Sequence, residues 1–195
     1  MAIDAQGVAT ITNAGTISGS GAVPGGGGPG GTASTGSVEL FQGGTLSNAA
    51  TGTITNDGAG NVALYSVILA TGKAASVTNA GNITETATGS GISLDAGGSV
   101  ANASGGVISA STYGVHITGG GQVSNAGSIS GGAGSVVFSG VGANTLTLQT
   151  GSTLTGAAIG STATGATNAL VLQGTGAASN SFQNFGTLTD RKSVV

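Results

Sequence analysis

Six carboxylates and one histidine are the only side chains in this 195-residue sequence suited to acid–base chemistry, beside three basic residues. Glycoside cleavage needs two carboxyl groups held across a sugar. Asp4, Glu39, Asp57, Glu85 and Asp95 instead fall at wide intervals, scattered over different repeat units. Only Glu85 and Asp95 share a unit, on different faces by the strand reading below. Solvated loop charge is their expected role. His116 lies between Val115 and Ile117; if both aliphatics point inward from a strand, the histidine points out to the surface. Serines abound, but no Gly-x-Ser-x-Gly elbow presents one as a nucleophile. Asn56-Asp57-Gly58-Ala59-Gly60-Asn61 has the outline of a calcium loop, yet holds one carboxylate where such motifs use several, and reads as a turn. Gly72-Lys73 lacks the following Ser or Thr and the Gly five positions earlier that a phosphate loop requires. No residue is therefore assigned a catalytic, cofactor-binding or metal role, and no cofactor is expected.

Composition narrows the classes further. Gly accounts for 41 residues, charged residues for 5% and aromatics for 3%, with no Cys and no Trp. Without stacking aromatics or basic patches, nucleic acid is not an expected partner. The lack of Cys removes disulfide and thiolate chemistry and suits export through an oxidising compartment. A net charge of only -3 and two Pro argue against a disordered chain and for a thin, repetitive core. The longest largely apolar run, Val62 to Ala70, is interrupted by Tyr65 and Ser66 and is too short to span a bilayer.

The elements that would position any site come from a repeat. Ile11-Thr12-Asn13-Ala14-Gly15, Leu46-Ser47-Asn48-Ala49-Ala50, Val77-Thr78-Asn79-Ala80-Gly81, Val100-Ala101-Asn102-Ala103-Ser104 and Val123-Ser124-Asn125-Ala126-Gly127 share one pattern. After each comes a second short strand, centred on Ile17, Ile54, Ile83, Ile108 and Ile129. A third follows near Val38 to Leu40, Val62 to Leu64, Ile92 to Leu94, Val115 to Ile117 and Val136 to Phe138. Apolar residues alternate with small polar ones, so each strand has one side to bury, and only stacking of successive coils can bury it. The expected fold is all-β: a right-handed parallel β-helix of about six three-strand coils.

Asn13, Asn48, Asn79, Asn102 and Asn125 would form a structural corner, chosen because Asn tolerates left-handed turns and stacked amides can hydrogen-bond along the tube. Residues 19–36, with Gly25-Gly26-Gly27-Gly28-Pro29-Gly30-Gly31, read as a loop excursion. Past Val141, Asn144 to Leu148, Thr153 to Thr155 and Asn168 to Leu172 would make a sixth coil without the Asn ladder. Ser181 to Leu188 would begin another. Thr-x-Thr pairs such as Thr10/Thr12 and Thr145/Thr147 suggest an ice-binding face, but they do not recur in every coil and read as ordinary outward hydroxyls.

Repeated Val-x-Asn-x-Gly-x-Ile units, then Asn144-Thr145-Leu146-Thr147-Leu148 with Gly151, then Phe182-Gln183-Asn184-Phe185, resemble the passenger region of bacterial autotransporters over nearly the whole chain. That resemblance implies a secreted, surface-displayed adhesive or structural segment. Its expected partners are a host-surface glycan or protein, or neighbouring bacterial cells. A signal peptide is expected upstream, since Met1 to Thr10 does not resemble one, and an outer-membrane barrel downstream. On this reading residues 1–189 are a passenger fragment whose open coil ends would associate end to end. The final Asp190-Arg191-Lys192-Ser193-Val194-Val195 breaks the Gly, Ser and Thr idiom. One codon choice for it matches a common sequencing adapter, so residues 190–195 are read as a non-native tail. The alternative function is a glycan-processing β-helix fragment using Glu85 or Asp95.

Overall fold

The computed structural model describes residues 2–19, 36–57, 65–174 and 180–191. All regular structure there is strand, in three parallel sheets, A, B and C, visited in turn. The first three coils are β1 (Ile3–Ala5), β2 (Ala9–Asn13), β3 (Thr16–Gly19); β4 (Gly36–Leu40), β5 (Gly44–Asn48), β6 (Thr53–Asn56); and β7 (Tyr65–Ala70), β8 (Ala75–Asn79), β9 (Asn82–Glu85). The next three are β10 (Gly89–Leu94), β11 (Gly98–Asn102), β12 (Val107–Ala110); β13 (Tyr113–Thr118), β14 (Gly121–Asn125), β15 (Ser128–Gly131); and β16 (Gly134–Ser139), β17 (Ala143–Leu148), β18 (Thr153–Thr155). Then β19 (Ala158–Ile159) and β20 (Thr167–Gln173), and finally β21 (Phe182–Gln183) and β22 (Thr187–Arg191), add two more rungs to sheets A and B. The chain is thus a parallel β-helix of stacked three-strand coils. No helix among the described residues is long and apolar enough to cross a membrane.

The core is a set of aliphatic ladders, because parallel pairing in register repeats the same inward position every rung. In sheet C, Ile17, Ile54, Ile83, Ile108, Ile129 and Leu154 stack in order. In sheet B, Ile11, Leu46, Val77, Val100, Val123, Leu146 and Leu170 do the same. Val38, Ile68, Ile92, Val115 and Val136 line sheet A. Most of these are fully buried, each contributing about 1.5–3 kcal/mol of apolar transfer.

Two strand assignments change. The sheet A strand of the third coil is Tyr65–Ala70, with Ile68 between Val38 and Ile92; Val62 to Leu64 lie outside the described residues. The run is apolar on both sides of Ser66, so alternation could not set its register. Asn168 to Leu172 does not close the sixth coil but stacks on β17 in sheet B as the seventh rung. The sheet A strand that follows β18 is instead the two-residue β19, too short to carry a periodic signal. The loop excursion lies outside the described residues except for its ends, Gly19 and Gly36, which belong to β3 and β4. At the other end, Asp190 and Arg191 continue β22, opposite Leu172 and Gln173.

Candidate functional site

Asn13, Asn48, Asn79, Asn102 and Asn125 occupy the same register position at the ends of successive sheet B strands. Their amides form one chain of hydrogen bonds: Asn13 Nδ2 donates to Asn48 Oδ1 at 2.8 Å, Asn48 to Asn79 at 2.8 Å, Asn79 to Asn102 at 2.9 Å and Asn102 to Asn125 at 2.9 Å. The Nδ2 groups also donate to the turn carbonyls of Gly15, Gly52, Gly81 and Gly106. All five asparagines are buried, so the ladder ties coils together and faces no ligand.

The reason for Asn is not a left-handed turn. Among the described residues only Asn184 is a non-glycine with positive φ, at 62°. What the position needs is a short side chain with one donor group and one acceptor along the tube axis. The glycine after the ladder likewise answers to space: a Cβ on Gly81 would lie 2.2 Å from the Gly52 carbonyl oxygen.

A second amide pair replaces the ladder where it stops. Asn144 Nδ2 donates to Asn168 Oδ1 at 2.8 Å, at the opposite end of sheet B. Asn168 also accepts from the Ser161 amide at 3.0 Å and donates to the carbonyls of Ser161 and Asn184, both at 2.8 Å. The shared Asn-x-Leu-x-Leu of Asn144 to Leu148 and Asn168 to Leu172 was the available signal. This pair holds the 160–166 segment beside an open cleft of about 320 Å³, lined by Val137, Ser139, Ile159, Thr162, Asn184 and their neighbours.

The ionisable groups are brought together more than their spacing suggested, because residues one coil apart become neighbours. Asp4 and Glu39 are register partners on β1 and β4. Glu39 is 5% exposed, and its Oε2 is buried with no hydrogen-bond partner among the described residues. Glu85 is register partner to Asn56, which directly precedes Asp57. Burial, reinforced by Asp57, raises the Glu85 pKa above the usual carboxylate value, against the lowering effect of the Ala87 and Thr86 amides.

His116 does point away from the core, but it is half-buried. Its Nε2 lies 2.9 Å from Ser139 Oγ, and its ring centroid is 5.3 Å from that of Tyr113. Burial lowers its pKa, partly offset by Asp95, which accepts a 2.7 Å hydrogen bond from Ser93 Oγ. Serine, histidine and aspartate thus meet on the outer side of sheet A, with Asp95 acting on the imidazole electrostatically and accepting its hydrogen bond from Ser93. Among the described residues no three His, Asp or Glu side chains converge as a metal cage.

The outer side of sheet B is different in kind. One row runs Thr10, Thr45, Ser76, Ser99, Gln122, Thr145. The parallel row runs Thr12, Ser47, Thr78, Ala101, Ser124, Thr147. Threonine does not recur in every rung, but a hydroxyl stands at all positions except Ala101 and Gln122, and no charge interrupts either row. Rungs stand about 4.8 Å apart, and Ser99 donates to Ser76 at 3.0 Å along one row. Comparisons of the chain with family models, curated proteins and solved structures found no match. The fold and the ladder therefore define its class: a parallel β-helix with a buried asparagine corner.

Proposed function

We propose that this chain is a structural and adhesive display module, a surface-exposed passenger segment of a bacterial autotransporter. The observation that carries the reading is the uncharged hydroxyl grid on sheet B, a repeating surface mounted on a packed aliphatic core. Such a grid offers donors and acceptors at regular spacing to a glycan or a protein on a host surface, or to neighbouring cells. It works by repetition of weak contacts rather than by turnover. The Val-x-Asn-x-Gly-x-Ile units and the resemblance they carry support the secretion class and the bacterial cell surface as its location.

The test is to coat beads with the protein and measure retention on a glycan array and on cultured epithelial cells. Lysines placed in the grid at Thr78 and Ser124 should lower retention at least tenfold. The same change on sheet C, at Thr84 and Ser109, should leave it intact. Equal retention by both variants, or none by the unchanged protein, ends the adhesive reading. Glycan processing gains no support from Glu85, which at 4% exposure does not present its carboxylate to a polymer.

A further inference from the structure

We propose that Ser139 and His116 form a nucleophile–base pair that cleaves uncharged carboxylic esters bound in the cleft beside Ser139. The two residues come from successive coils. His116 and Val137 are register partners on β13 and β16, and Ser139 is the next outward residue after Val137. This places His116 Nε2 2.9 Å from Ser139 Oγ, the reach at which a base can activate a hydroxyl. Other hydroxyls also bridge coils, as Ser99 to Ser76 and Ser130 to Ser109 do. Ser139 differs from them in having an imidazole for its partner and an open cleft of about 320 Å³ at its side.

The imidazole suits a base. Burial lowers its pKa and so favours the neutral ring, with Asp95 of the preceding coil partly opposing this and the Tyr113 ring packed at 5.3 Å. In the tautomer that carries its proton on Nδ1, Nε2 accepts the hydroxyl proton of Ser139. The cleft sets the substrate. None of the described residues lining it is charged, and Val137 and Ile159 give it an apolar wall, which fits a neutral ester with a short acyl chain. Thr162 and Asn184, in the same lining, carry hydroxyl and amide donors for the ester oxygen that gains charge. In the first step Ser139 Oγ bonds to the acyl carbon, its proton passes to His116 Nε2, and the ester C–O bond breaks as the alcohol leaves with that proton. In the second, water attacks the acyl-serine and gives a proton to His116, which returns it to Ser139 Oγ as the carboxylic acid departs. The pair stands on sheet A, apart from the sheet B grid, so it is tested independently of adhesion.

The full chain is assayed with p-nitrophenyl acetate and butyrate, and labelled with a fluorophosphonate before peptide mass mapping. Hydrolysis should be saturable and the label should fall on Ser139. Ser139→Ala and His116→Gln should each lower kcat/KM about a hundredfold or more. Ser130→Ala, which breaks a hydroxyl bridge on sheet C, should leave it unchanged. Circular dichroism checks the fold of each variant. If Ser139→Ala does not fold, labelling of the parent protein decides, with Ser139 modified in support and unmodified against. Hydrolysis no faster than with free imidazole overturns the proposal. So does hydrolysis that survives in a folded Ser139→Ala, which would make the imidazole itself the nucleophile.

Discussion

Asn125 and Leu148 are register partners on β14 and β17, and at that step the buried amide ladder gives way to a hydrocarbon one. Asn125 has no amide above it and keeps the bond that each ladder asparagine makes to a carbonyl of the next coil, here Thr153 at 3.2 Å. Asparagine at position 148 would therefore meet a waiting amide, whereas at Leu146, two residues earlier in the aliphatic ladder, it would meet only hydrocarbon. Leu146→Asn should cost about 3–5 kcal/mol and Leu148→Asn about half that, by urea unfolding. Equal costs would show that the ladder cannot be extended.

Within the ladder, position matters as much as identity. Asn79→Ala removes one acceptor of the Asn48 amide and the amide that donates to Asn102 Oδ1, both deeply buried, along with its own bonds to the Gly81 and Val107 carbonyls. It should cost about 2–4 kcal/mol. Asn13→Ala removes one donor to the ladder, at Asn48, with more exposed bonds to Gly15 and Thr53, and should cost about 1 kcal/mol. Denaturant midpoints of the two variants check the ranking.

Glycine at the corner should be replaceable in one coil and not in another. Alanine at Gly81 drives its Cβ against the Gly52 and Ala49 carbonyl oxygens, whereas a Cβ on Gly15 meets nothing within 4 Å. Gly81→Ala should destabilise by about 2 kcal/mol or more. Gly15→Ala should be neutral or stabilising by about 0.5 kcal/mol through the unfolded chain. Melting temperatures of the pair decide this.

Stability should respond to acid through two groups of opposite sign. Glu85 has its folded pKa raised, chiefly by burial, so its contribution is fully favourable below the unfolded value of about 4.3 and is lost as pH rises through the folded value. His116 has its folded pKa lowered, chiefly by burial. Its contribution is present above about 6.5 and is lost as pH falls through the folded value. In melting scans from pH 8 to pH 4, Glu85→Gln should remove the gain on acidification and His116→Asn the loss. Superimposable profiles for Glu85→Gln and the parent protein would refute the burial of an ionisable Glu85.

The sequence by itself determined the inward aliphatic positions and the asparagine corner. Ile83 between Asn82 and Thr84, or Val77 two residues before Asn79, is a local pattern, and a parallel stack repeats local patterns in place. Tertiary structure decided which residues meet across coils. Asn56 comes level with Glu85, His116 reaches Ser139 and Asn144 reaches Asn168 only because coils of unequal length are closed by turns that bring them level. A strand as short as Ala158–Ile159, or one apolar on both sides of Ser66, leaves no period to read. Its register comes from the rung already formed beside it, whose hydrogen-bonding edge admits one alignment that buries Ile68 or Ala158.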